Sequence, residues 1–313
     1  MSTGGAQGTR GAIMMLLIAS VLWGTTGTAA AQAAEVSALA IGAASLGVGG
    51  LLQALIAIRP LAVARDELRD NLPMVVLGAL GILVYPLAFY SSMRLGGVAL
   101  GTVISLGAAP LFSGLLERIV DGTALSRRWF LAALLGIAGS CLLGFSRASA
   151  DSADVAGVIA SCLLGLAAGA SYAVYSWAAA RLMSAGIERR AAVGAVFGLG
   201  GLLLMPVLLA TGAPLLASVQ NMAVAAYLAL VPMFLGYVLF GMALSKVSAS
   251  TATTVTLSEP AVAAILAVGL LGERLGTIGW VGVVLIAAAL IVLLIKPRTP
   301  EPEAAELDAT VLG

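Results

Sequence analysis

Charged residues are missing from stretch after stretch of this chain, each about as long as a membrane is thick. Uncharged segments occupy residues 11–34, 36–58, 71–93, 95–116, 129–146, 155–180, 191–245 and 275–295. Another, 247–272, is interrupted only by Glu259. A helix crossing the hydrocarbon core takes about 20 apolar residues. The 191–245 segment is too long for one crossing, and Thr211-Gly212-Ala213-Pro214 with Gln220-Asn221 divides it in two. The pattern predicts an all-α integral membrane protein of ten transmembrane helices. Arg10, the apolar run after it and Ala31-Gln32-Ala33 look like a secretory signal with its cleavage site. That run is long enough to span, so it is read as the first helix.

Composition removes several function classes. Hydrophobic residues make up 61% of the chain and charged ones 10%, against about a quarter charged in soluble domains. A net charge of +1 offers no basic surface for nucleic acid. Histidine is absent, which removes imidazole acid–base chemistry and the commonest metal ligand. The His-Glu-x-x-His, Gly-x-Ser-x-Gly and Gly-x-x-x-x-Gly-Lys-Ser/Thr patterns have no match. No metal, cofactor, ATP-driven step or enzymatic activity is therefore expected. Cys141 and Cys162 lie in apolar runs and read as small buried hydrophobes.

The basic residues set an orientation. With the N-terminus inside, the inner segments hold Arg10, Arg59, Arg65, Arg69, Arg118, Arg127, Arg128, Arg181, Arg189, Arg190, Lys246, Lys296 and Arg298. The outer loops hold only Arg94, Arg147 and Arg274. Positive charge stays inside, so both termini are expected in the cytoplasm. The two halves are also alike. Gly101 to Pro110 reads Gly-Thr-Val-Ile-Ser-Leu-Gly-Ala-Ala-Pro, and Thr251 to Pro260 reads Thr-Ala-Thr-Thr-Val-Thr-Leu-Ser-Glu-Pro. Each follows a short loop and precedes an apolar helix beginning near a tryptophan, Trp129 or Trp280. Five helices per half would insert the second half upside down, the inverted-repeat pattern of secondary transporters. The expected division is a cytoplasmic N-terminus (1–10), a first five-helix repeat (11–146), a linker (147–154), a second repeat (155–295) and a disordered cytoplasmic tail (296–313) rich in Pro and Glu.

Glu259 stands near the middle of the ninth predicted helix, so its charge falls close to the bilayer midplane. A charge there costs about 3 kcal/mol on insertion scales. Pro260 beside it frees a carbonyl one turn earlier and weakens the helix. No partner acid lies at that depth, which argues against an aspartyl-type catalytic pair.

Leu22-Trp23-Gly24, Ser258-Glu259-Pro260, Leu271-Gly272-Glu273-Arg274-Leu275 and Trp280 together resemble the drug/metabolite transporter superfamily in its EamA branch. Within it the chain is similar to the YddG-type exporters of aromatic amino acids. The first half departs from the pattern, with Ala109 before Pro110 and Asp121-Gly122-Thr123 in place of Gly-Glu-Arg. The resemblance implies a central cavity built from helices 1, 3, 4, 6, 8 and 9, with helices 5 and 10 peripheral.

Residues of those helices form the candidate site. The residues read as binding substrate or lining the cavity are Trp23, Thr26, Tyr85, Phe89, Ser105, Tyr172, Tyr175, Ser176, Tyr237, Thr256, Ser258 and Glu259. Tyr85 and Phe89 share a helix face, as do Tyr172, Tyr175 and Ser176. Rings with a hydroxyl suit an amphipathic ligand of amino-acid size. For the tyrosines, core packing stands as the alternative. For the hydroxyls of Ser250, Thr251, Thr253, Thr254, Thr256 and Ser258 the alternative is bonding between helices. Trp129 and Trp280 read as interfacial belt residues. Glu117-Arg118 reads as a solvated helix end, with a gate as the alternative. Pro110 and Pro260, at matched positions, are the expected gating bends. Gly97-x-x-x-Gly101, Gly165-x-x-x-Gly169 and Gly194-x-x-x-Gly198 read as close-packing surfaces. Glu259 is open to three roles: a structural hydrogen bond, a proton site coupled to transport, or a partner for a substrate's amino group.

The expected function is a secondary transporter of the bacterial inner membrane. It would export small metabolites, amino acids of aromatic or hydrophobic kind, by alternating access between the repeats. Its partners would be that small-molecule cargo and the bilayer, with a proton as the candidate coupling ion. Proton-coupled efflux of drugs or other metabolites is the alternative. A channel is the reading from another class, and a single Glu in a Gly-rich bundle supplies neither charge rings nor filter carbonyls. No mid-membrane Lys or Arg is present to hold a phosphate, which argues against sugar-phosphate or nucleotide-sugar cargo.

Overall fold

The computed structural model describes residues 3–147, 155–271 and 276–294. The tail, nearly all of the linker, and the Gly272-Glu273-Arg274-Leu275 turn lie outside them. Among the described residues all regular structure is helical. In chain order the elements that build the site are α1 (Gly8–Ala31), α2 (Ala38–Ile56), α3 (Leu72–Gly96), α4 (Gly101–Ile119), α5 (Arg127–Arg147), α6 (Val155–Ser184), α7 (Arg189–Thr211), α8 (Val219–Leu244), α9 (Ala249–Val255), α10 (Ser258–Leu271) and α11 (Thr277–Leu294). Seven of them, α1 to α4 and α6 to α8, are long and apolar enough to cross a bilayer. Large apolar side chains stand out from their flanks, among them Leu80, Leu111, Leu163, Leu202 and Leu209. Nothing but lipid suits so much exposed aliphatic surface. This is a multi-pass membrane protein.

Local chemistry sets the helix ends. Ser37, Ser126, Ser218 and Ser248 each accept a backbone N–H from three residues on, at the starts of α2, α5, α8 and α9. α6 ends in a Schellman turn: Gly186 N bonds Met183 O, and Ile187 N bonds Leu182 O. Gly186 sits there at φ 94, in the left-handed region that favours glycine.

Between α3 and α4 the sequence predicts a short loop. Instead, no separate loop parts them, and residues Leu72 to Ile119 form one continuous helical element with a sharp bend. A straight helix of that length would run about 72 Å, more than twice a hydrocarbon core. It folds back on itself. α6 runs antiparallel to α3, with Gly81 against Tyr175 and Ser92 bonded to Ser161, yet parallel to α4, with Gly165 against Ile104 and Gly169 against Ser105. The bend lies between Gly96 and Gly101, where Gly101 abuts the backbone of Met93.

Glycine makes the tightest helix contacts possible. Gly165 and Gly169 admit α4, while Gly194 and Gly198 admit Ala57 and Ala54 of α2. Gly50 comes so close to Phe197 O that a Cβ would sit 2.3 Å from it. α5 and α11 pack mainly on each other, with Gly139 against Gly282 O. Trp280 is half exposed, as a belt residue should be, but Trp129 is buried and lies over Gly114. The belt reading of Trp129 is corrected by that packing.

Candidate substrate site at a broken helix

The ninth predicted helix is two helices. α9 ends at Val255, Thr256 and Leu257 form a turn, and α10 begins at Ser258. Pro260 has no N–H to give to Thr256 O, and Glu259 N takes that carbonyl at 3.0 Å in a tighter turn. Hydroxyls add to the strain on the ladder. Thr253, Thr254, Thr256 and Ser258 donate to carbonyls three or four residues back, at 2.7–3.2 Å. Pro110 shows the contrast. The residues before it, Leu106, Gly107, Ala108 and Ala109, bring no hydroxyl, and the helix runs through it unbroken. Of the two expected bends, only Pro260 marks a break.

Glu259 therefore lies in the first turn of α10 rather than mid-helix. The partial positive charge of a helix N-terminus offsets part of the cost of burying its carboxylate. It is 7% exposed, and its carboxylate makes no hydrogen bond or ion pair with any described residue. Tyr85, Tyr90, Tyr172 and Tyr237 lie within its electrostatic reach.

Those rings belong to one buried aromatic assembly drawn from α1, α3, α6, α7 and α8. Trp23 packs on Tyr237 at 4.9 Å and on Phe240 at 5.6 Å between centroids. Tyr172 stacks on Tyr175 at 5.2 Å, and Tyr85 on Phe89 at 5.5 Å. Tyr85 also meets Tyr172 at 5.6 Å, joining the two stacks. The polar tips are tied down. Tyr175 and Tyr237 share a hydrogen bond at 2.7 Å, Tyr172 bonds Thr256 at 3.1 Å, and Trp23 Nε1 donates to Pro232 O at 2.8 Å. Pro232 belongs to a widened π-helical segment of α8, Ala229–Leu235, and Gln53 of α2 donates to Phe234 O there at 2.8 Å. Gly24 lets α1 close on Val262 and Ala263 of α10, which seats Trp23 beside the break.

Most predicted site residues thus come together. Thr26, Ser105 and Ser176 are buried with hydroxyls that find no partner among the described residues. Ser258 spends its hydroxyl on Val255 O. The centre is filled by rings in this conformation. Cavities open elsewhere, two of them at the end carrying Arg181, Arg189 and Arg190. One of about 330 Å³ lies between α2, α7 and α8 and reaches Tyr237. One of about 490 Å³ is bounded by Glu117, Asp121, Trp177, Arg181 and Ser248.

With that geometry in place, known proteins give a consistent picture. The sequence model of the EamA-like transporter family matches residues 10–145 and, separately, residues 159–295. The chain belongs to the EamA-like transporter family. It is 35% identical over 288 residues to the uncharacterized transporter YwfM of Bacillus subtilis, covering 91% of this chain and 94% of that one. It is 28% identical over 298 residues to a probable terminal-alkyne amino-acid exporter of Streptantibioticus cattleyicolor, covering 90% and 95%. A solved crystal structure superimposes with a TM-score of 0.72 at 19% identity, over 90% of this chain and 96% of its own, which shows a shared fold.

The sequence reading of this EamA-like transporter missed several residues. Phe197 closes the aromatic assembly from α7, 4.7 Å from Tyr237. Glu117 is not a solvated end: it is buried and accepts both the N–H and the hydroxyl of Ser250. Asp121 accepts from Trp177 Nε1 and pairs with Arg181. An acid next to an arginine at a span end carries no signal of a partner 133 residues away.

Proposed function

We propose that this EamA-like transporter exports amino acids with aromatic or hydrophobic side chains across the bacterial inner membrane by alternating access. The observation that carries the reading is the buried aromatic assembly beside an unpartnered carboxylate at a helix break. Rings from both halves would receive an apolar side chain, and the break offers a carboxylate to a zwitterionic head. Discontinuous helices near a midplane carboxylate are how many secondary transporters bind cargo. Glu259 takes the substrate's ammonium group or a proton, and their exchange couples export to the proton gradient. Tyr85, Phe89, Tyr172 and Trp23 part to admit the cargo. The name of the Streptantibioticus cattleyicolor relative supports an amino-acid cargo.

The same reading assigns ten spans as two inverted five-helix repeats, 11–146 and 155–295, with both termini cytoplasmic. The separate family matches in each half and the arginine distribution support it. α9 and α10 together make one crossing, and α5 and α11 two more.

Ligand-induced stabilisation tests the cargo class. A ligand that binds only the folded state raises stability by about 2.7 kcal/mol at a hundredfold excess over Kd. In detergent, Trp, Phe and Leu should raise the Tm in a saturable way, while polyamines and sugar phosphates leave it unmoved. A shift produced by sugar phosphates and by no amino acid would defeat the reading.

A further inference from the structure

Glu117 joins the two halves of the chain at one end. Near the C-terminal end of α4 it is 6% exposed, and both oxygens reach across to α9. Oε1 accepts from Ser250 N at 2.8 Å and Oε2 from the Ser250 hydroxyl at 2.5 Å. Ser248 caps Thr251 N, so Glu117 supplies from another helix the acceptor that α9's first turn still needs. Next to it Asp121 holds Trp177 Nε1 at 2.6 Å and pairs with Arg181, whose guanidinium lies 5.5 Å from the Trp177 ring centre. These groups bound the cavity of about 490 Å³, which ends at the contact between α4 and α9.

Beyond that contact α4 carries more polar groups than packing requires. Ser113 lies one turn deeper on the Glu117 face, fully buried, with no partner for its hydroxyl among the described residues. Ser105, about two turns further along, is in the same condition. A buried hydroxyl without a hydrogen bond costs free energy, and water would satisfy both if α4 and α9 parted.

The Glu117–Ser250 pair is not repeated at the matched positions of the sequence. α4 and α9 contain the matched segments of the two halves, 150 residues apart. Glu117 then corresponds to Ala267, and Ser250 to Leu100, so the opposite end has no polar pair in these places.

We propose that the Glu117–Ser250 contact is a gate on the α4–α9 side of the arginine-rich end, closed here, and that breaking it opens a hydrated route past Ser113 and Ser105 toward the aromatic assembly. The proposal rests on the alternating-access reading above. Asp121, Trp177 and Arg181 brace the closed gate from the α6 side. Glu117 acts as a positioning residue: it touches no cargo but sets how often this end is open.

Thiol accessibility tests it without any substrate, so an error in the cargo assignment would not disturb the result. Ser113→Cys is placed in the full chain with Cys141→Ala and Cys162→Ala. Its reaction rate with a membrane-impermeant maleimide is read from each face of sealed vesicles. Labelling should be slow with Glu117 intact. It should rise by roughly tenfold, the shift expected from losing one charge-assisted hydrogen bond, when Glu117→Gln is added, and only from the arginine-rich face. Ser250→Ala, which keeps the backbone donor, should give a smaller rise in the same direction. The double variant should be no faster than Glu117→Gln by more than the remaining coupling. Parental rates in both single variants would overturn the gate. So would equal acceleration from both faces, which marks general loosening. If Glu117→Gln does not reach the membrane, the Ser250→Ala result decides alone.

Discussion

Glu259 and Glu117 are both buried carboxylates, 7% and 6% exposed, and they are treated in opposite ways. Glu117 is held by two donors from Ser250, while Glu259 has none among the described residues. An uncompensated buried charge destabilises the fold, so its retention points to use rather than structure. Glu259→Gln should therefore leave the Tm unchanged or raised while it abolishes gradient-driven transport. A fall in Tm of several degrees would mark Glu259 as a structural residue instead. Tyr172→Phe removes only the hydroxyl bonded to Thr256. It should cost about 1 kcal/mol of stability, the usual worth of one hydrogen bond. It should also raise KM more than it lowers turnover, because the ring stays and only the tether at the break is lost. A KM equal to wild type in proteoliposome uptake would place that hydroxyl outside the cargo site.

At the scale of elements, the break between α9 and α10 is the most consequential feature. Pro260→Ala supplies the i+4 N–H that Thr256 O would take in a regular helix in place of Glu259 N, so the two halves should join into one helix. The expected result is a higher Tm with slower turnover, and unchanged turnover would show that the break is not a working hinge. Gly50→Leu tests the other extreme of helix design. Its side chain has no room beside Phe197 O, and overpacking of this kind costs about 1–3 kcal/mol or more. A Tm equal to wild type would mean that α2 and α7 are not packed as described. Much of this level was legible in the sequence. The charge-free runs located the helices, and Pro260 beside Glu259 located the weak point. The sequence could not show that Pro110 leaves its helix intact, because that depends on which neighbours compete for carbonyls. Nor could it show that Thr253 and Thr254 spend their hydroxyls on their own helix. The aromatic residues were named from their helix faces, but Phe197, which packs on both Tyr175 and Tyr237, was singled out by no local pattern. Glu117 was misread because burial is a property of its partner's position, not of its own neighbours.

For the whole molecule, two similar halves meet along α4, α6, α9 and the aromatic assembly, with the Glu117–Ser250 contact at one end and the Ser92–Ser161 pair toward the other. On the gate proposed above, the α4–α9 side of the arginine-rich end opens when the Glu117–Ser250 contact yields. The account needs the centre to carry cargo and Glu259 to couple its movement to protons. Uptake of labelled Trp, Phe and Leu into proteoliposomes, with and without an imposed pH gradient, tests this most directly when wild type and Glu259→Gln are run side by side. The prediction is saturable uptake that amino acids compete for, accelerated by the gradient in wild type and indifferent to it in the variant. Saturable uptake that responds equally to the gradient in both proteins, or no uptake of any amino acid by either, would contradict the account.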